Sequence, residues 1–83
     1  MKAIYCEDKA PHELDTGEWC YYFGPIYLCC PGDLVANLAA HDVKVADGVL
    51  TVSPSIEVRG GPAEYWHGFV ENGVFLDVNK KPL

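Results

Sequence analysis

Asn72-Gly73 divides the last third of the chain into two runs, Tyr65–Glu71 and Val74–Val78. The three pieces together predict a β-hairpin. Asn and Gly tolerate positive φ at low cost, and a two-residue type I′ turn needs positive φ at both central positions. The flanking runs are rich in aromatic and β-branched residues, which suit a pleated strand. With Asn72 and Gly73 in the turn, Glu71 faces Val74, Phe69 faces Leu76 and His67 faces Val78. Tyr65, Phe69, Val74, Leu76 and Val78 then share one face, apolar enough to be expected on the core.

Asp47-Gly48 gives the same turn signal between Asp42–Ala46 and a run that starts at Val49. Pro54 interrupts that second run. It lacks an amide donor, so it belongs at a strand end, an edge or a bulge. Upstream, Trp19–Phe23 and Ile26–Cys29 flank Gly24-Pro25 and read as another hairpin. Residues 2–6 read as a short first strand. Residues 7–18 are polar and punctuated by Pro11 and Gly17, so they read as a loop with one helical turn near His12–Leu14. In residues 34–41 the apolar positions 34, 35, 38 and 39 fit a helical face, with Asp33 as its cap. A short helix is expected there, with a strand as the alternative. The fold class is mainly β: a small antiparallel meander or sandwich with at most one short helix, in a single domain over residues 1–83.

Such a chain of 83 residues, 49% of them hydrophobic, has enough apolar material for a core. A domain of this size buries roughly 60–65% of its unfolded surface. The net charge of −6 excludes some partners. Binding nucleic acid requires Lys and Arg to displace counterions from phosphates, and an acidic chain repels them. The same argument disfavours anionic membranes. A basic protein partner is favoured. Glu7 and Asp8 stand where a signal peptide needs an apolar run, and no stretch approaches about 20 apolar residues. A cytoplasmic setting is therefore expected.

The four cysteines are Cys6, Cys20, Cys29 and Cys30. The reducing cytosol disfavours disulfides. On a strand, Cys29 and Cys30 point to opposite faces. Cys30-Pro31-Gly32-Asp33 has the tight turn of a zinc ribbon, with Asp33 where a second Cys would stand. His67, His41 and Cys20 are more distant donors, and Cys30, Asp33 and His67 form the candidate zinc site. The alternative makes the cysteines small buried apolar residues. No nucleophile elbow, phosphate loop or H-E-x-x-H pattern is present, and no enzymatic activity is expected.

Aromatic residues are dense beside acidic ones, as in Glu18-Trp19 and Glu64-Tyr65-Trp66. Tyr and Trp are over-represented at binding hot spots, and their faces attract Arg and Lys. The candidate partner-binding residues are the acidic group Glu7, Asp8, Glu13, Asp15 and Glu18, with Trp19 and Trp66 as anchors. Carboxylates spread over a rigid β surface can also imitate the phosphates of DNA.

Cys30-Pro31-Gly32, Thr51-Val52-Ser53-Pro54-Ser55-Ile56 and His67-Gly68-Phe69-Val70-Glu71-Asn72-Gly73 resemble a family of small phage and prophage proteins of unknown function. That family's pattern runs C-P-G-C, then S-P-S, then C-H-S-F. The resemblance covers about residues 27–78. It implies a phage origin and a zinc-binding β fold, and carries Cys30 and His67 over as metal ligands. Asp33 and Trp66 depart from the pattern where the family has Cys. The resemblance points to a phage-encoded binding protein in the host cytoplasm. Its expected role is an inhibitor of a host defence system, of the anti-CRISPR type, acting on a basic nuclease or CRISPR effector subunit. The alternative is a structural zinc-binding accessory protein of a phage or prophage.

Overall fold

Asn72 and Gly73 adopt φ of 50° and 75°, and Asp47 and Gly48 adopt 53° and 76°, so both two-residue turns form where the sequence places them. The computed structural model describes all of residues 1–83. It is mainly β. The strands are β1 (Ile4–Tyr5), β2 (Glu18–Tyr21), β3 (Ile26–Cys30), β4 (Leu34–Asn37), β5 (Asp42–Ala46), β6 (Val49–Arg59), β7 (Tyr65–Glu71) and β8 (Val74–Leu76). One short 3-10 turn, Pro11–Glu13, lies between β1 and β2. No helix is long and apolar enough to cross a membrane.

Two four-stranded sheets follow the chain order, β1-β2-β3-β4 and β5-β6-β7-β8. All pairs are antiparallel except β1–β2. The segment before β1 joins the sheets. Lys2 bridges Val74, the Ala3 amide donates to Gly73 O, and the Phe75 amide donates to Met1 O. Hydrogen bonding therefore runs continuously from β4 through β1 and residues 1–3 to β8 and on to β5. The ring stays open between β4 and β5.

Alternation along each strand decides the core. Ile26, Leu28 and Cys30 of β3, Leu34 and Ala36 of β4, Leu50, Val52 and Ile56 of β6, Val70 of β7 and Phe75 of β8 all point between the sheets. Trp19 and Leu38 complete this cluster. Full burial of each large apolar side chain contributes about 1.5–3 kcal/mol. Pro54 sits where the β6–β7 register shifts, between Val52 and Ile56, so its missing amide interrupts no ladder bond. Its peptide bond to Ser53 is cis.

Two expectations change. Residues 34–37 form a strand, not the start of a helix: Leu34, Ala36 and Leu38 are buried while Val35 and Asn37 are exposed, a period of two. The register of β3 against β4 supplies the partner that a helix would forgo. The second change is the face of the β7–β8 hairpin. Its core side carries Trp66, Gly68, Val70 and Phe75. Tyr65, Phe69, Val74 and Leu76 share the other face, and Val78 lies beyond β8, with no partner strand opposite His67. Gly68 fits beneath Trp66, where an added Cβ would lie 2.4 Å from both Leu76 O and the indole ring.

Candidate protein-interaction face

The loop between β1 and β2 is held by its own charges. Pro11 starts the 3-10 turn, and Glu13 Oε1 accepts the Ala10 amide at 2.8 Å. Lys9 Nζ donates to Glu18 Oε1 at 2.8 Å and to Asp15 Oδ2 at 3.2 Å. The Asp15 amide donates to the same Glu18 oxygen at 2.8 Å. Leu14 fastens the loop below, packing with Cys20 and Cys29 in a small second cluster on the outer face of the first sheet. Cys29 and Cys30 thus point to opposite faces, as alternation requires.

These contacts move two ionisations. The Lys9 ammonium, then the Asp15 amide, hold the Glu18 carboxyl down at about 2. The hydrogen bonds to Glu18 and Asp15 hold Lys9 well above the usual lysine range. A depressed carboxylate pKa contributes stability that is complete above the unfolded value and fades as pH falls through the folded one. The ionised Glu18 therefore stabilises the fold at neutral pH, and its contribution disappears between about pH 4.5 and 2. Raised in the fold, Lys9 contributes fully below its unfolded value of about 10.5, and this contribution fades only above it. We expect the Glu18 carboxyl to titrate near pH 2 by NMR. Lys9→Met should raise that midpoint towards 4.5 and flatten the fall in melting temperature between those pH values.

The structure brings one further acid to the loop. Thr16 Oγ1 donates to Asp33, which adopts a φ of 59° in the β3–β4 turn. Glu7, Asp8, Glu13, Asp15 and Asp33 are exposed and Glu18 is half-buried, with Lys9 the lone lysine among them. These residues form an acidic border along the outer face of the first sheet.

An aromatic tip lies at the other end of β2 and β3 from Asp33. The β2 strand ends at Tyr21, and Phe23 enters the turn with a φ of 51°. Phe23 is 91% exposed. Tyr22 packs edge-on against Phe23, with ring centroids 4.6 Å apart, and lies 6.1 Å from Tyr27. Tyr27 packs on the same outer cluster as Leu14 and receives a hydrogen bond from Asn37 Nδ2 at 3.2 Å. Positive φ disfavours a bulky aromatic, yet Phe23 is held there with its ring in solvent. The strand expected over Trp19–Phe23 ends at Tyr21, which releases Phe23 into the turn. Gly24-Pro25 was the signal that the strand ends earlier.

The two tryptophans are not free anchors. Trp19 is 1% exposed and packs in the main core, with the Tyr5 ring centroid 4.7 Å away. Trp66 is half-buried, covers Gly68 and meets Phe75 edge-on at 5.8 Å. Both lie on inward positions of their strands, so the core takes the apolar area that a partner would otherwise use.

The proposed zinc ligands are not brought together either. No three His, Cys, Asp or Glu side chains group as a metal site would require. Cys30 is buried between the sheets, its Sγ 3.8 Å from Leu28 O. Asp33 is turned to Thr16. His67 Nε2 lies 3.0 Å from Ser55 Oγ, on the other sheet. His41 Nε2 lies 3.2 Å from Ser55 O.

Thiol chemistry has little support from these surroundings. Burial pushes the Cys20, Cys29 and Cys30 thiols up, Cys30 to about 12. Burial and then a hydrogen bond to Glu18 do the same at Cys6. A nucleophilic thiol needs the opposite shift. None of the surface cavities is lined by Ser55 or His67, so that serine–histidine pair has no concave site beside it.

Compared with protein-family models, with curated proteins and with solved structures, the chain has no match.

Proposed function

We propose that this chain is a protein-binding module that docks a basic, nucleic-acid-handling protein and blocks it. The proposed setting is a phage-encoded inhibitor of a host defence system, of the anti-CRISPR type, acting on a nuclease or effector subunit. The observation that carries the binding reading is the uncovered Phe23 together with a loop of exposed carboxylates on the same sheet. An aromatic ring left in solvent and a loop of carboxylates with a single lysine among them suit a surface where Arg and apolar area meet. The acids supply long-range attraction and partner choice, while the ring supplies desolvated contact area.

The test is a pull-down from host lysate at low and at moderately high salt, with mass spectrometry of the retained proteins. The expected result is one basic nucleic-acid-binding protein held at low salt and released at high salt, since exposed charges are screened over about 10 Å at 0.1 M. Phe23→Ala should leave the melting temperature unchanged and reduce capture roughly 10-fold, the loss of a modest hot spot. Joint replacement of Asp8, Asp15 and Asp33 by Asn should reduce capture and flatten its salt dependence. Capture that ignores both salt and these changes would sink the proposal.

A further inference from the structure

The opening between β4 and β5 leaves a strand edge uncovered. Ala46 and Val49 flank the two-residue Asp47-Gly48 turn, so they form a mutually hydrogen-bonded pair. The bonded pairs then recur at Lys44–Thr51 and Asp42–Ser53. The N–H and C=O groups of Val43 and Val45 therefore point away from β6, outward along the free edge. None of the loop, cap or turn bonds involves them. Edge strands are commonly blunted by a proline, a bulge or charged side chains. Of these β5 has only the charges of Asp42 and Lys44, and its register with β6 is unbroken.

A groove of about 570 Å³ lies against this edge. Ile26 and Leu38 contribute its apolar lining, Tyr21 comes from the β2–β3 hairpin, and the Val43 and Val45 side chains come from β5. Asp42 is its one carboxylate; His41 also lines it, and Lys44 shares Asp42's side of β5. A free row of backbone groups beside a trough of mixed polar and apolar lining matches an extended peptide. Val43 and Val45 repeat at about 6.8 Å, the two-residue rise of a strand. The occupant must be extended, with alternate apolar side chains for the trough and a basic side chain for Asp42.

We propose that an extended, basic segment of the partner protein adds to β5 as a further strand, seats its apolar side chains in this groove and pairs an Arg or Lys with Asp42. This takes from the preceding reading only the basic character of the partner. A second copy of this chain is the other strand that could pair here, but two molecules each of net charge −6 repel one another.

The experiment uses the whole chain and a synthetic peptide, Gly-Ser-Val-Arg-Val-Arg-Val-Ser-Gly-amide, with Glu in place of Arg as its control. Binding and amide hydrogen exchange are followed by NMR. The Arg peptide should bind and slow exchange at Val43 and Val45 by 10-fold or more. Asp42→Asn should weaken it about threefold to fivefold, as an exposed ion pair does. The Glu peptide should bind at least 10-fold more weakly. Three results each overturn the proposal: no binding of the Arg peptide, binding without protection at Val43 and Val45, or equal binding of both peptides. A sedimenting dimer with those amides protected and no peptide present overturns it in favour of self-pairing. If the groove fails while capture still depends on Phe23 and the acidic border, the binding reading stands without strand addition.

Discussion

Phe75→Ala is expected to lower the free energy of unfolding by about 3–5 kcal/mol, the usual loss when a buried aromatic leaves a cavity. Phe75 is fully buried, pairs across the hairpin with Val70 and supports the Trp66 ring. Domains of this kind are stable by only about 5–15 kcal/mol, so the variant should be largely unfolded at modest urea. Phe69 provides the control. It lies on the other face, half-buried, with Lys80 Nζ 4.8 Å above its ring. Phe69→Ala should cost about 1 kcal/mol, the lower part of the range for point changes. Urea unfolding of both variants decides which face is the core. A larger loss at Phe69 than at Phe75 would reverse the assignment.

Trp19→Ala should cost a similar 3–5 kcal/mol, because its indole fills the space beside Leu28 and Tyr5. Its Nε1 is buried without a hydrogen-bond partner. An unmet buried donor costs about 1–3 kcal/mol, so Trp19→Phe, which removes that group along with some volume, should cost less than about 2 kcal/mol. The comparison separates packing from recognition. Trp19→Phe should capture the partner as the parent chain does, whereas Phe23→Ala should fold as the parent does and lose capture. Loss of capture by a well-folded Trp19→Phe would return Trp19 to the interface.

The turns were legible in the sequence because their chemistry is local. Asn72-Gly73 and Asp47-Gly48 name their own backbone conformation, and Gly24-Pro25 and Pro31-Gly32 mark the ends of strands. The alternation of Cys29 and Cys30 was legible for the same reason. The face of the β7–β8 hairpin was not. Tyr65, Phe69, Val74 and Leu76 on one side and Trp66, Val70 and Phe75 on the other are both apolar, and only the packing of β6 and the first sheet selects between them. The segment at 34–41 failed through brevity. Over so few residues, apolar positions satisfy a period of 3.6 and a period of 2 equally well.

The candidate site divides along the same line. The acidic loop was visible as composition, but the addition of Asp33 depends on the contact that Thr16 makes across the fold. The zinc set failed because Cys30 points between the sheets while His67 lies on the outer face of β7, and spacing along the chain carries no information about that separation. Trp19 and Trp66 looked like anchors because side-chain type was visible and strand parity against the core was not.

The placement of the first five residues also sets an order of events. Every other strand pairs with a neighbour in sequence, through connections that close early and quickly. Residues 1–5 instead need Glu18 and Trp19 for one half of their bonds and residues 73–75 for the other. On a ribosome the first half of that requirement is met early and the second only after residues 73–75 have emerged. The opening segment therefore docks in two stages, and the second stage is the step that fastens one sheet to the other.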